Sequence, residues 1–190
     1  RVLTVTGVQT CALPISVLTG DKVNTSPSFV NINDNLYVMF GSKDDKVYAV
    51  DMDGNTLPGY PITLNGNIEG GIVYSDIDGD AEPEILAISE AGTIFTLHKD
   101  GSYYHHFPLD NGLPFTGPPL VLDIDNDGDM EIISGAMNNL TVIDIKESGN
   151  TGNYWHMFRG NNQRTGYYLY SSDSACSVEL GDVNGDIIIN

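Results

Sequence analysis

Two nine-residue stretches of this chain place an acid at every second position, and they lie 47 residues apart. The first is Asp76-Ile77-Asp78-Gly79-Asp80-Ala81-Glu82-Pro83-Glu84. The second is Asp123-Ile124-Asp125-Asn126-Asp127-Gly128-Asp129-Met130-Glu131. Both carry carboxylates at positions 1, 3, 5, 7 and 9, and both run straight into an apolar stretch. An acidic loop followed by a strand, recurring at a fixed interval, is the mark of a repeat architecture in which one supersecondary unit is copied along the chain.

The copies extend beyond the loops. One unit covers Gly70 to Pro108, a second Pro118 to Ile145, and a weaker one Phe29 to Pro61. In the weaker copy the Asp53-Gly54 turn precedes Asp100-Gly101 by the same 47 residues. Each unit reads as strand, acidic loop, strand, turn, strand, Asp-Gly turn and short strand. Glu84–Ser89, Thr93–His98, Glu131–Ala136 and Leu140–Ile145 are the clearest strands, rich in β-branched residues and bounded by turn formers. No stretch sustains a 3.6-residue period.

A period of about 40–50 residues with four short strands predicts a propeller blade. The fold class expected is therefore all-β, a partial β-propeller of about three four-stranded blades with calcium-loop repeats, between Val17 and Tyr170. A closed ring needs roughly 4–8 blades. On that reading the chain is a piece of a larger ring with an open, apolar edge. The alternative is a three-unit sandwich or solenoid, complete in itself.

Charge narrows the partners. Lys and Arg number 8 against 26 Asp and Glu, a net charge of −18. Such a chain repels phosphate backbones and anionic lipid, which argues against nucleic-acid or membrane-surface binding. No apolar run approaches the ~18 residues of a membrane span. The acids are interspersed with apolar runs, unlike a disordered acidic tail.

The two loops hold ten of the 26 acids. Carboxylates so close repel one another unless a cation sits among them. Calcium takes six to eight hard oxygens in flexible geometry, and Cys/His clusters that would suit zinc are missing. Asp76, Asp78 and Asp80, and likewise Asp123, Asp125 and Asp127, would point inward. Glu82 and Asp129 at position 7 would offer a backbone carbonyl and turn their side chains outward. Glu84 and Glu131 would close each cage from the following strand. Ile77 and Ile124 would face the core, and Gly79 and Gly128 would supply positive-φ backbone. Solvated acidic turns are the alternative. The weak copy, Asn31-Ile32-Asn33-Asp34-Asn35, lacks a closing acid and reads as a metal-free loop held by side-chain amides.

At these loops the sequence resembles the FG-GAP/VCBS repeat family, calcium-loop β-propellers, over Phe29 to about Tyr168. The resemblance implies a propeller, calcium in the strand-connecting loops, and a secreted or cell-surface protein of bacterial type. The motif DxDxDGxxE is complete at Asp123–Glu131; in the first loop Ala81 replaces the usual Gly at position 6, a departure expected to weaken that site.

The flanks read differently. Val5–Ile15, VTGVQTCALPI, resembles the conceptual translation of a sequencing-library adaptor, so residues 1–16 are set aside from fold reasoning and Cys11 with them. Asn153 to Tyr170 resembles the Trp-containing segment that ends such propellers; Trp155 and Phe158 would plug a blade interface, or Trp155 with Tyr167 and Tyr168 would stack on sugar. After a polar linker from Ser171, Cys176 to Asn190 resembles the first half-loop of a dockerin, which docks onto cohesin domains. Asp182, Asn184 and Asp186 fall at positions 1, 3 and 5, but Ile187 stands where a glycine is expected. The alternative is one more turn before a strand.

No GxSxG, HExxH, P-loop or GxGxxG motif is present. His105 and His106 would alternate across a strand and face opposite ways. The functional expectation is a non-catalytic, calcium-binding extracellular module that presents a surface to protein or carbohydrate, with a cohesin-like partner for the C-terminus. The alternative is the accessory C-terminal region of a secreted hydrolase.

Overall fold

The computed structural model describes residues 15–166 and residue 168. The adaptor-like segment up to residue 14 and the dockerin-like residues Asp182, Asn184 and Asp186 lie outside the described residues.

The described residues form an all-β structure of three antiparallel sheets, each built from consecutive strands. The first holds β1 (Ser28–Ile32), β2 (Asn35–Gly41), β3 (Lys46–Asp51) and β4 (Ile62–Thr63). The second holds β5 (Ile68–Ser75), β6 (Glu84–Ser89), β7 (Thr93–Leu97) and β8 (Leu109–Asp110). The third holds β9 (Leu120–Leu122), β10 (Asp129–Gly135) and β11 (Leu140–Ser148). Strands follow one another as hairpins, which is what short apolar runs separated by tight turns produce.

The acidic loops join the first two strands of the second and third sheets. In the first sheet the same place is taken by a two-residue hairpin turn. Asn33 and Asp34 there have φ of 51° and 61°, and the Asn35 side-chain amide donates to the Asn33 carbonyl at 2.9 Å. Two consecutive positive φ values define the type I′ turn that fits the twist of paired strands, and Asn and Asp tolerate it.

Core side chains sit between consecutive sheets. Val30, Met39, Ile72, Tyr74 and Phe95 pack the first sheet against the second, and Val73, Leu86, Val121, Met130 and Ile145 pack the second against the third. The middle sheet is therefore covered on both faces. Every residue of β6 and β7 is buried, which is why Ile85–Ile88 and Ile94-Phe95 read as continuous apolar stretches without a strict alternation of apolar and charged residues.

The third sheet departs from the expected four-stranded unit and has three strands. Short fourth strands β4 and β8 follow the Asp53-Gly54 and Asp100-Gly101 turns; β11 is followed instead by Gly149-Asn150, which leads the chain back to the middle sheet. There the Tyr74 N–H of β5 donates to the Trp155 carbonyl, and the Val121 N–H of β9 to the His156 carbonyl, both at 3.0 Å. Residues 150–156 thus run between β5 and β9, the first strands of the second and third sheets. Trp155 is buried among the first core group, with its ring 5.7 Å from that of Phe29.

Two expectations about orientation fail for one physical reason each. Ile77 is fully buried against the third sheet, but Ile124 is 48% exposed, because no further sheet among the described residues covers the far side of the third. The same contrast holds for Ile94, 1% exposed, and Leu140, 67% exposed, which pair with Ile88 and Gly135, themselves 47 residues apart. His105 and His106 do not alternate along a strand. They form a turn, with His106 at φ 66°, and both line one hollow beside Glu147.

Candidate metal centre

The two acidic loops adopt the same backbone hydrogen-bond pattern, bond for bond. The carboxylate at position 1 accepts from the N–H groups of positions 4 and 6: Asp76 from Gly79 at 2.7 Å and Ala81 at 3.2 Å, Asp123 from Asn126 at 2.6 Å and Gly128 at 3.1 Å. Position 3 accepts from position 5, Asp78 from the Asp80 N–H at 3.2 Å and Asp125 from Asp127 at 3.3 Å. Position 5 accepts from position 7, Asp80 from Glu82 at 2.7 Å and Asp127 from Asp129 at 3.0 Å. Position 9 reaches back from its strand to the N–H of position 2. Glu84 takes the Ile77 N–H at 3.0 Å and Glu131 the Ile124 N–H at 2.7 Å. Short acidic side chains that accept backbone amides a few residues on are what force so tight a loop.

Positions 4 and 6 both require left-handed backbone. The first loop has Gly79 at φ 76° and Ala81 at 68°; the second has Asn126 at 63° and Gly128 at 93°. Each loop supplies one glycine, but at different positions. The non-glycine that fills the other slot costs roughly 1–2 kcal/mol for Ala81 and less for Asn126, whose side chain tolerates this region.

The first loop gathers Asp76, Asp78 and Glu84, and the second Asp123, Asp125 and Asp127, each group with ligand oxygens within 4.8 Å of one another. Asp80 and Glu131 stand outside these triads. Glu82 turns away to Lys99, 2.9 Å distant, and Asp129 lies 3.8 Å from Lys146, which also approaches Asp127 at 3.6 Å and Asp144 at 2.5 Å. Lys146 is 66% exposed, so these contacts contribute little.

Burial separates the two sites. Asp76 is 3% exposed and Glu84 1%, and no Lys or Arg pairs with either among the described residues. The His98 Nδ1 lies 3.4 Å from Glu84. Burial pushes the Glu84 carboxyl up to about 8, with Asp78, Asp80 and Asp76 adding to the rise and the Ile77 N–H opposing it. Glu131 is also buried, and its Oε1 has no hydrogen-bond partner. Buried carboxylates normally carry a counter-charge or hold a metal. Here the donor set is carboxylate oxygen, which suits a hard cation.

The first loop is also clasped from outside. Asn150 exchanges backbone bonds with Asp76 in both directions, at 2.7 and 3.1 Å, and its side-chain amide donates to Asp76 Oδ2 at 2.8 Å. The Tyr154 hydroxyl donates to the Ala81 carbonyl at 3.1 Å. Asn150 carries no motif; only its place after β11 brings it here. No protein-family model matches the sequence, and no curated protein matches it.

Proposed function

We propose that this chain is a calcium-binding β-propeller module of a secreted or cell-surface protein, non-catalytic in itself, that presents a binding surface to protein or carbohydrate. The observation that carries the reading is the pair of buried carboxylates Asp76 and Glu84 beside Asp78, without a Lys or Arg partner among the described residues. A hard divalent cation supplies the missing positive charge. Asp76, Asp78 and Glu84 would hold it in the first loop, and Asp123, Asp125 and Asp127 in the second. The buried, unpartnered Oε1 of Glu131 supports the same use of the second loop.

Support for the propeller comes from the arrangement of the sheets. They are consecutive antiparallel hairpin units, and their first strands β1, β5 and β9 lie beside one another. Each sheet packs face to face on the next, and Ile124 and Leu140 on the far side of the third sheet stand where a further sheet would cover them. Calcium here is structural: it neutralises the loop carboxylates and fixes the turns that link inner and second strands. Chelation of the full chain should lower its melting temperature and added calcium should restore it; a melt unmoved by excess chelator would sink this reading.

A further inference from the structure

We propose that the hollow between the inner strands and the segment from Trp155 to Gly166 binds a short acidic oligosaccharide, with Arg159 and Arg164 each taking one of its anionic groups. The inference rests on the binding-module reading above and names its ligand class. Two adjoining cavities of about 240 and 500 Å³ meet at Pro118 and Phe158. Together they reach the size of ordinary small-ligand sites, about 300–1,000 Å³. Arg159 lines the first and Arg164 the second.

Three observations point to an anionic ligand. Lys43, Lys46, Lys99 and Lys146 lie 2.7, 3.7, 2.9 and 2.5 Å from carboxylates, whereas Lys22 and the two arginines make no ion pair among the described residues, and of these three the arginines line the adjoining cavities. In a chain of net charge −18, two unpaired guanidiniums at adjoining cavities concentrate positive charge there. Both arginines also sit in left-handed backbone, Arg159 at φ 63° and Arg164 at 54°, where stability alone favours Gly or Asn. Backbone held in such regions by side chains unsuited to it tends to cluster at ligand sites.

The wall chemistry points to a saccharide. Phe158, 37% exposed, and Pro118 and Pro119 offer flat apolar faces for sugar rings, and the Asn162 amide lies beside them. A peptide bound by strand addition would need a free strand edge. Next to these cavities the Tyr74 and Val121 N–H groups of β5 and β9 already donate to the Trp155 and His156 carbonyls. A long polyanion would run onto the acidic surface and be repelled, so the ligand is short.

Trp155 is the chain's one tryptophan and lines the first cavity, so its fluorescence reports occupancy. The full calcium-loaded chain is titrated with a glucuronate-containing tetrasaccharide, its methyl ester and inorganic sulfate. The acid form should give a saturable change, and the ester should bind about tenfold more weakly, the loss of a charge-assisted contact. Sulfate alone should not saturate. Arg159→Gln and Arg164→Gln should each weaken binding roughly three- to tenfold, with the melting temperature and its calcium response unchanged. Equal binding of acid and ester, saturation by sulfate alone, wild-type affinity in both variants, or no binding of the acid form would each overturn the proposal. A calcium-insensitive melt would instead count against the metal reading, so the two failures are distinguishable.

Discussion

Asn150 and Asp76 hold each other by three hydrogen bonds, two through the backbone and one from the Asn150 amide to Asp76 Oδ2 at 2.8 Å. A residue two positions past the end of the third sheet thereby fixes the first position of the acidic loop in the second. That carboxylate is 3% exposed and accepts in all from three donors besides the backbone exchange: Gly79, Ala81 and the Asn150 side chain. Asn150→Ala removes one donor from a buried anion, which typically costs about 1–3 kcal/mol. The expected outcome is a lower denaturant midpoint with an unchanged slope, together with weaker calcium binding at one of two sites. An unaltered midpoint would mean that the clasp contributes nothing.

The left-handed slots give a pair of opposed substitutions. Ala81 at φ 68° should accept glycine with a gain of about 1 kcal/mol, because the strain of its Cβ outweighs the extra freedom glycine brings to the unfolded chain. Gly128→Ala, at φ 93° in open space, should lose a similar amount through strain alone. Thermal melts of both variants in chelator check the signs. Matching signs would show that the two loops do not share one backbone.

Glu84 sets a pH dependence whose sign follows from its environment. Its carboxyl lies at about 8 in the folded chain against an ordinary 4.5, raised chiefly by burial. A raised value means that the fold binds this proton more tightly than the unfolded chain does. The stabilisation is complete below about pH 4.5 and is lost as pH rises through 8. In chelator the melting temperature should therefore fall between pH 5 and 8, roughly the span of the shift. If calcium takes the place of the proton among the carboxylates, as proposed, that fall should vanish in its presence. Glu84→Gln should abolish the fall in chelator and reduce the calcium-dependent gain. The same slope with and without calcium would contradict the assignment of Glu84 as a ligand.

Trp155 ties residues 150–156 to the first two sheets through its ring contact with Phe29 and its carbonyl bond to Tyr74. Trp155→Ala should cost about 3–5 kcal/mol, the range for emptying a buried aromatic site. Chemical denaturation measures it directly. A cost under about 1 kcal/mol would place the ring on a loose flap and not in the core.

The middle sheet was the most legible part of the sequence. Its strands are covered on both faces, and β6 has the boundaries expected from the apolar run Ile85–Ile88 with its polar flanks, Glu84–Ser89. The acidic loops were legible in register because side chains that accept their own backbone amides fix local geometry without help from afar. What depended on distant packing was not legible. Ile77 and Ile124 occupy the same loop position, and only the sheet lying opposite decides that one is buried and the other exposed. The turn at His105-His106 contains neither glycine nor proline, and nothing nearby in sequence announces φ 66° at His106. Asn150, Arg159 and Arg164 belong to no spacing pattern. Their roles arise where a segment after the last strand folds back across the inner strands.

The most direct test of the account is calorimetric titration of the full chain with calcium, paired with melts in chelator and in calcium. The account predicts saturable binding at two sites and a stabilisation of about 2.7 kcal/mol per site at a hundredfold excess over Kd. Asp76→Asn and Asp123→Asn should each remove one site. No heat of binding, with one melting temperature in chelator and calcium alike, would contradict it: the acidic loops would then be held by their backbone hydrogen bonds alone.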